Sequence, residues 1–322
     1  MKAMTPLAFS MLRILSDGQF HSGEDIAKGL DVSRASLCNA AKAIEAAGIE
    51  LDRIRGRGYR MNRPFEWMER EACMEKLGNK GFDIEIRDVV DSTNSELLRT
   101  NAPHRKVLAA ELQTCGRGRM GRKWEAELGG SLTFSIAWQF DRGAGFLSGL
   151  GLATSLALKR AMQACGIEIF IKWPNDLLHQ FRKLGGILIE VKGDMLGPTF
   201  VVIGIGVNFS LSEKARESID QAVTCIDAIS ACKPGRNRLF VAILSELHDI
   251  LEQFEREGFS PFREEWSECH VYQGKPVRLR LPSGKMEEGR VIGVNERGEI
   301  LLETGKGQLS FASGEVSLRG MA

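Results

Sequence analysis

The sequence predicts an α+β protein built from three segments, and one observation in each segment supports this. Residues 1–65 show helical periodicity followed by a basic turn that contains glycine. Residues 66–269 combine apolar runs of strand length, mostly early, with longer amphipathic segments, mostly late. Residues 270–322 contain short apolar runs separated by glycine turns. Because strands and helices are largely segregated, we expect a sheet covered by helices in the middle rather than a doubly wound fold.

Composition and charge limit the classes of function. The 322 residues are 43% hydrophobic and 26% charged, as in ordinary globular proteins. The net charge is +1, so contact with nucleic acid would depend on a local basic patch. Seven cysteines without a C-x-x-C pair predict reduced thiols, a cytoplasmic location and no metal site formed by protein ligands. No apolar run has membrane-spanning length, so no membrane partner is expected.

The first segment has the spacing of a helix-turn-helix. One helix is predicted over residues 5–16, a second from Ser22 to Gly29, and a third that Ser33 caps and that runs to Gly48. The third helix has a buried face of leucine, isoleucine and alanine and an opposite polar face. Four residues of that polar face are predicted to contact DNA: Arg34, Ser36, Asn39 and Lys42.

A basic hairpin is predicted directly after these helices. Residues 53–63 hold five arginines, two glycines and no acid, which is typical of the wing of a winged helix. Arg55 and Arg57 are therefore predicted as further DNA contacts. A helical interaction module with a solvated basic turn is the alternative reading of this segment.

The other two segments predict a mixed sheet with helices and a small β barrel or meander. Strands are expected over residues 82–90, 107–113, 131–138, 167–173, 186–191 and 199–207. Helices are expected over residues 92–99, 146–165, 214–231, 236–257 and 260–267. The barrel would use residues 277–281, 289–294, 300–302 and 309–311.

Residues 115–124 alternate three glycines with four cations, which predicts an anion-binding loop. The glycines also fit G-x-G-x-x-G, but a strand-like run follows where a dinucleotide-binding turn needs a helix. The sequence of a P-loop does not occur in the chain. A flexible basic surface loop is the alternative for this stretch alone.

Two further strings predict functional loops. Lys172-Trp-Pro-Asn-Asp176 places Asn175 and Asp176 in a tight turn at a strand end, and Lys183 follows shortly before Gly185-Gly186. The alternative is an ordinary β-turn with a surface lysine. Asp91-Ser-Thr-Asn94 stands at a strand-to-helix junction, where its side chains can cap the helix, recognise a ligand, or do both.

These strings together resemble the biotin protein ligases. Asp91-Ser-Thr-Asn94, the glycine–arginine stretch from Gln113 to Trp124, Lys172-Trp-Pro-Asn-Asp176, Lys183-Leu-Gly-Gly186 and Gly204-Ile-Gly-Val-Asn208 follow one another in the order of that family. With a winged helix in front and a small β domain behind, nearly the whole chain resembles the bifunctional bacterial biotin ligases that also repress a biotin operon. Lipoate ligases share the general catalytic fold but not the glycine–arginine loop.

The resemblance implies a class II synthetase-like central domain, an SH3-like C-terminal barrel, and two reaction steps. Biotin and ATP, with Mg²⁺, would give biotinoyl-5'-AMP, and a lysine of a biotin carboxyl carrier protein would then accept the biotinoyl group. The implied catalytic residues are Lys183, Arg119, Arg122 and Asp176. The implied biotin-binding residues are Ser92, Thr93, Asn94, Gln113, Gly116, Arg117, Gly118, Arg119 and Lys183. The implied adenylate-binding residues are Arg119, Arg122, Trp124, Asn175, Asn208, Val223 and Ile226.

The same resemblance implies a regulatory role. The intermediate would act as corepressor, because ordering of the glycine–arginine loop would complete a homodimer that binds operator DNA. Two departures from the family concern this loop: Met120 replaces a basic or polar residue, and Cys115 replaces a small one. In addition, residues 217–230, which cover adenine in relatives, contain no tryptophan. Three alternatives are a ligase whose N-terminal module is not regulatory, a transcription factor with an inactive sensing domain, and a lipoate or octanoyl ligase.

Overall fold

The computed structural model describes residues 4–193, 197–230, 234–281, 283–313 and 317–320. The chain divides into two compact units, residues 1–67 and residues 68–322. The boundary lies two residues after the end of the predicted first segment, and the second unit includes the rest of both other predicted segments. No described helix is long and apolar enough to cross a membrane.

The first unit is a winged helix-turn-helix. Its elements are α1 (Pro6–Leu15), α2 (Gly23–Gly29), α3 (Arg34–Ala46), β1 (Leu51–Ile54) and β2 (Gly58–Met61). The side chains of Ser22 and Ser33 each accept a backbone N–H at the start of a helix, as the capping signals predict, and Thr5 caps α1 in the same way. The antiparallel β1–β2 pair forms the wing, with residues 55–57 at its tip.

The wing is anchored by a close backbone approach at Gly58. This glycine has φ +101°, and a Cβ there would lie 1.9 Å from the carbonyl oxygen of His21. Directly beside it, His21 and Tyr59 exchange two backbone hydrogen bonds of 2.9 Å. His21, just before the N-cap of α2, therefore pairs with the wing only because position 58 lacks a side chain.

The second unit has a seven-stranded mixed sheet at its centre. Its strands are β3 (Asp83–Val90), β4 (Lys106–Gln113), β5 (Ser131–Phe140), β6 (Phe170–Lys172), β7 (Asp176–His179), β8 (Arg182–Gly193) and β9 (Thr199–Asn208). The order across the sheet is β3-β4-β5-β9-β8-β7-β6, and only β3 and β4 pair in parallel. The helices are α4 (Arg70–Leu77), α5 (Thr93–Arg99), α6 (Leu150–Ala164), α7 (Glu213–Ser218), α8 (Ile226–Ile229), α9 (Arg236–Glu257) and α10 (Arg263–Cys269).

Alternation along β5 separates the two faces of this sheet. Phe134, Ile136 and Trp138 pack with α6 and α9 in the main core. Ala137 packs with Leu97 of α5 on the other face, and Thr133 and Ser135 are its polar neighbours there. Because side chains alternate along a strand, this second face combines a small apolar cluster with buried polar groups.

A five-stranded antiparallel sheet completes the second unit. Its strands are β10 (Pro276–Arg280), β11 (Met286–Val294), β12 (Ile300–Thr304), β13 (Gly307–Phe311) and β14 (Ser317–Gly320), in the order β13-β12-β11-β10-β14. Its apolar side chains, including Val277 and Leu302, belong to the same core cluster as those of the central sheet. The predicted α+β fold, with a C-terminal antiparallel sheet, is confirmed.

Several predicted elements were wrong in extent. The single helix predicted over residues 214–231 is two short helices, α7 and α8, joined by an extended stretch; the last residue, Ala231, lies outside the described residues. The helix predicted to begin at residue 146 begins at Leu150, because Gly149 takes φ +84° and packs against Phe259. The strand predicted over residues 167–173 is limited to Phe170–Lys172. Helix α4 and strands β7 and β14 were not predicted.

A buried ion pair ties the N-terminal end of the second unit to its sheet. Arg236 of α9 donates to Glu111 of β4 at 2.7 Å, and both side chains are almost fully buried. The other oxygen of Glu111 accepts the backbone N–H of Met68 at 2.7 Å, and Arg236 also donates to the carbonyl of Ser131 at 3.0 Å. These contacts join α9, β4 and β5. Because separating the pair would leave a buried charge without its partner, the three elements are held in one arrangement.

Candidate ligand and nucleic-acid sites

A cavity of about 760 Å³ opens in the second unit on the sheet face that carries α5. It is large enough for a nucleotide together with a small acid. Most of the predicted ligand-binding residues line it: Ser92, Thr93, Asn94, Gln113, Arg117, Gly118, Arg119, Arg122, Trp124, Asn175, Asp176, Lys183, Asn208 and Val223. Gly116 and Ile226 are buried and are not among its lining residues.

The glycine–arginine stretch forms a hairpin over this cavity. Trp124 donates its backbone N–H to the carbonyl of Gly116 at 2.9 Å, and Gly118 donates to the carbonyl of Arg122 at 2.7 Å. A Cβ at Gly116 would lie 2.5 Å from the carbonyl oxygen of Trp124, so this crossing needs glycine. Met120, at the tip, has φ +57° and is exposed. Gly116 therefore shapes the hairpin, although its own surface does not line the cavity.

Two glycines of β9 make the floor of the cavity. A Cβ at Gly204 would lie 2.2 Å from the side-chain oxygen of Asn94, and one at Gly206 would lie 2.5 Å from the ring of Trp124. The amide and the indole therefore rest directly on the backbone of the sheet. The indole nitrogen of Trp124 is buried and has no hydrogen-bond partner within the described part of the chain.

One end of the cavity carries a cluster of small polar groups. The side-chain oxygen of Gln113 accepts from the backbone N–H of Thr93 at 2.8 Å and from its hydroxyl at 3.1 Å. Ser135 lies 2.6 Å from the hydroxyl of Thr93 and 2.5 Å from the amide oxygen of Asn94. The Ser92 hydroxyl accepts from the N–H of Ser95, as predicted for a cap. These fixed donors and acceptors suit a polar ring with carbonyl and N–H groups.

The other end of the cavity is cationic. Lys183 and Asp176 form an ion pair of 2.7 Å, and both are largely buried. Arg119 donates to the side-chain oxygen of Asn175 at 3.1 Å and also bonds the backbone carbonyl of Ser313. Burial lowers the pKa of Arg119; the nearby Asp176 opposes this shift and Arg122 adds to it. Arg119 and Lys183 thus face one cavity, and the cations are ready to contact a bound anion.

The extended stretch between α7 and α8 closes one side of this cationic end. Lys183 donates its backbone N–H to the carbonyl of Ala222, and Thr224 donates to the carbonyl of Lys183, both at 2.9 Å. This bridge presents Val223 to the cavity. Asn208 lies next to it, because its amide nitrogen donates to the carbonyl of Thr224 at 3.1 Å.

Many cavity residues were missed as site residues, and Lys172, Phe181, Tyr272 and Arg319 are among them. Burial lowers the pKa of Lys172, while Asp176 opposes the shift and Lys183 adds to it. Lys172 is the first residue of the Lys172–Asp176 string, so its position in that string could have identified it as a site residue. Tyr272 and Arg319 come from the C-terminal segment, residues 270–322, where no local pattern connects them with the site.

In the first unit, the predicted DNA contacts lie on α3 and the wing. Arg34, Asn39, Lys42, Arg55 and Arg57 are exposed, whereas Ser36 is half-buried beside the cap. The Ser36 hydroxyl lies 2.9 Å from that of Ser33. The guanidinium of Arg57 stacks on Phe20 at 4.4 Å from the ring centre, which orients the wing tip.

Three family models match the chain in order. They are an HTH domain over residues 8–60, the biotin/lipoate A/B protein ligase family over residues 86–208, and the biotin protein ligase C terminal domain over residues 272–319. The three ranges fall on the winged helix, on the central sheet with its cavity, and on the C-terminal sheet.

Full-length relatives show the same combination. The bifunctional ligase/repressor BirA of Salmonella typhimurium is 31% identical, and the alignment covers 98% of both chains. The protein of the same name from Escherichia coli is 31% identical over 96% of each chain. Among solved structures, the biotin protein ligase from Aquifex aeolicus in complex with biotin and ATP aligns with a TM-score of 0.65 and 28% identity, covering 74% of this chain and 99% of that one.

Proposed function

The chain belongs to the family of bifunctional biotin protein ligases and repressors, and from this premise we propose that it activates biotin with ATP and attaches it to a carrier protein. The reaction is AMP-forming: biotin and ATP give biotinoyl-5'-AMP and pyrophosphate, and an acceptor lysine displaces AMP. The N-terminal unit of the same chain binds DNA. One observation carries the proposal: a single cavity joins a polar subsite near Thr93 to a cationic subsite around Arg119 and Lys183.

The polar subsite would recognise the ureido ring of biotin. That ring has one carbonyl and two N–H groups, and Ser92, Thr93, Asn94 and Gln113 offer fixed partners at one end of the cavity. The backbone around Gly118 and Arg117 would close over the ring from the hairpin. A ligand without these polar groups would leave buried partners unpaired, so the subsite selects for them.

The first step is governed by charge rather than by a proton. A carboxylate is already ionised at neutral pH, and the barrier is largely its repulsion from the triphosphate. Lys183 stands where the biotin carboxylate and the α-phosphate would meet, and Arg119 and Arg122 would stabilise the phosphate oxygens. Because Arg119 and Lys183 are partly buried, they act more strongly than they would in water, whereas Arg122 is exposed.

Mg²⁺ fits this site only as a companion of the nucleotide. Among the described residues, no group of three or more His, Cys, Asp or Glu side chains is placed to hold a metal ion. Asp176 is paired with Lys183, so a cage built from protein ligands is not available there. When bound through the phosphates, Mg²⁺ would reduce their negative charge.

The adenylate would lie along the floor of the cavity. Trp124 rests on Gly206 beside the nucleotide, Asn175 and Asn208 offer amides to adenine, and Val223 supplies apolar cover. Ile226 would act only indirectly, since it is fully buried behind that stretch. For the second step, Asp176 would orient the amine of the incoming lysine, and its ion pair with Lys183 holds it in position.

The DNA-binding unit makes this enzyme a candidate repressor of a biotin operon. Arg34, Asn39, Lys42, Arg55 and Arg57 form its exposed basic and polar surface, with Ser36 supporting the start of α3. Biotinoyl-AMP would serve as corepressor: the hairpin of residues 116–124, ordered over the intermediate, would favour a homodimer that binds two operator half-sites. A carrier protein would compete for the same surface.

A direct assay tests the enzymatic part. The purified full-length chain is incubated with Mg²⁺, ATP, biotin and a biotin carboxyl carrier domain, and the carrier is weighed by mass spectrometry. We expect biotinylation of one lysine, pyrophosphate release even without carrier, and no product from lipoate or octanoate. A Lys183→Met variant should lose pyrophosphate release by about 100-fold or more. Activation of lipoate in place of biotin, or of neither acid, would reject the proposed substrate.

A further inference from the structure

The carboxylate of Glu190 joins the hairpin to the wall of the polar subsite. One of its oxygens accepts from the amide nitrogen of Asn94 at 2.8 Å and from the guanidinium of Arg117 at 2.5 Å. Asn94 and Arg117 both line the cavity, whereas Glu190 is not among the lining residues. Glu190 therefore stands behind the wall, on β8, and contacts two residues that form it.

This arrangement determines which way the Asn94 amide points. Its nitrogen donates to the carbonyl of Leu188 at 3.2 Å and to Glu190, so both N–H groups are used. Its oxygen lies 2.5 Å from the hydroxyl of Ser135 and retains one lone pair. If the amide were reversed, its oxygen would face a carbonyl and a carboxylate. The Asn94 side chain thus offers the cavity an acceptor and no donor.

Arg117 holds Glu190 in this role. The guanidinium reaches from the hairpin to the same carboxylate oxygen that Asn94 uses. Asn94 is 3% exposed and packs on the bare backbone of Gly204, so it cannot move away from Glu190 without a change in the sheet. Arg117 thus positions Glu190, Glu190 positions the Asn94 amide, and the Asn94 amide contacts the ligand.

We infer that Glu190 is a positioning residue for biotin recognition: it fixes the Asn94 amide so that its oxygen accepts an N–H of the ureido ring. This inference rests on the proposed function, because it assigns the ring to the subsite beside Asn94. Glu190 itself does not touch the ligand. Its removal affects the binding of biotin, while the nucleotide end of the cavity, formed around Arg119 and Lys183, is unchanged.

The test compares Glu190→Ala with Glu190→Gln in the full-length protein. Glu190→Ala frees the Asn94 amide, and we expect the Kd for biotin, measured by calorimetry, and the KM for biotin in pyrophosphate release to rise about tenfold. The KM for ATP should stay within about twofold of wild type. Glu190→Gln keeps an acceptor at the same place, so its affinity for biotin should stay within about threefold of wild type.

A structural role alone would not give this pattern. If Glu190→Ala proves too unstable to purify, Glu190→Leu removes the acceptor and keeps an apolar side chain on the strand. Glu265→Ala is the matched control, because it breaks a comparable ion pair with Arg160 and Glu265 is not a lining residue of the cavity. Its affinity for biotin should equal that of wild type.

A double variant that combines Glu190→Ala with Asn94→Ala tests whether Glu190 acts through Asn94. Once the amide is absent, Glu190→Ala should weaken biotin binding by no more than about twofold further, since the two residues act in series. Multiplied effects would overturn the inference, as would wild-type affinity in Glu190→Ala. If wild-type protein binds no biotin at all, the proposed function fails instead, and the two results cannot be confused.

Discussion

Two glycines of β9 illustrate how single residues build the cavity floor. The alternate positions 204 and 206 face the cavity, and the atoms closest to a Cβ at either position belong to Asn94 or Trp124. In a strand interior, glycine packs poorly and lowers the stability of the sheet. The presence of glycine at both positions is explained by the side chains that lie against it. Substitution by alanine therefore tests whether this close contact matters.

We expect Gly206→Ala to displace the Trp124 ring. The free energy of unfolding should fall by about 1–3 kcal/mol, and the KM for ATP should rise, because the ring lines the part of the cavity proposed for the nucleotide. Urea denaturation and pyrophosphate-release kinetics measure the two effects. Gly151→Ala in α6 is the control: the nearest atom would be Ile189 Cδ1 at 3.8 Å, and alanine there should be neutral or stabilise by up to about 1 kcal/mol. Equal effects of the two substitutions would contradict this account.

His270 is a buried titratable group outside the proposed chemistry. It is 3% exposed and stacks on Trp266 with ring centres 4.9 Å apart. Neither ring nitrogen has a hydrogen-bond partner within the described ranges. Burial, with a smaller contribution from the charge on Lys172, lowers its pKa to about 3.

This lowered pKa predicts a loss of stability in acid. Below its unfolded pKa of about 6.5, the unfolded chain binds a proton at His270 that the folded protein does not bind until about pH 3. Stability contributed by neutral His270 is therefore present above pH 6.5 and lost as the pH falls toward 3. We expect wild type to lose about 2 kcal/mol more than His270→Phe between pH 8 and pH 5 in urea denaturation. Parallel pH profiles of the two proteins would show that the histidine does not contribute.

At the scale of elements, the stretch between α7 and α8 is where helical periodicity misled. Residues 214–231 carry helix-forming side chains, but the backbone of Lys183 donates its N–H to the carbonyl of Ala222 and accepts the N–H of Thr224, on either side of Val223. An unpaired strand backbone beside a cavity is costly, and pairing with this stretch satisfies it. The tertiary bridge outweighs a weak local preference, because helix propensity differs by less than about 1 kcal/mol per residue.

Val223 of this stretch and Ile226, the first residue of α8, form a matched pair. Val223→Ala removes apolar cover from the nucleotide end, so we expect the KM for ATP to rise about three- to tenfold with the KM for biotin unchanged. Ile226→Val lies in the core behind it and should lower the free energy of unfolding by about 0.5–1.5 kcal/mol without changing either KM. An ATP effect from Ile226→Val, and none from Val223→Ala, would place adenine elsewhere.

At the scale of the whole molecule, two compact units carry the residues proposed for the two activities. The residues proposed to contact DNA belong to the first unit, residues 1–67, and the residues that line the cavity belong to the second, residues 68–322. The functions are linked only if ligand binding changes assembly, since a dimer can bind two half-sites at once. Single substitutions in either unit test this separation.

We expect Arg34→Ala to weaken operator binding at least about tenfold, with a shallower salt dependence, and to leave biotinylation unchanged. Arg119→Ala should reduce adenylation by about 100-fold or more and lose biotin-dependent DNA binding as a consequence. Gel-shift titrations with and without biotin and ATP, together with carrier biotinylation, measure both. Equal loss of the two activities in Arg34→Ala would refute the separation.

The sequence by itself determined the local features of this protein. The helix caps at Ser22 and Ser33, the basic wing, the long helix α9 and the order of the five family strings all depend on neighbouring residues, and the structure agrees with the caps, wing and helix. Such features are readable because capping, periodicity and turn composition act within a few residues.

Only the tertiary structure decided how distant residues meet. The approach of Arg319 and Tyr272 to the cavity, the bridge at Lys183 and the Glu190–Asn94 contact join parts of the chain that are about forty to two hundred residues apart. These contacts depend on sheet order and on the absence of side chains at Gly204 and Gly206. No local pattern records them, because the energy of packing belongs to pairs of surfaces that come together only when the chain has folded.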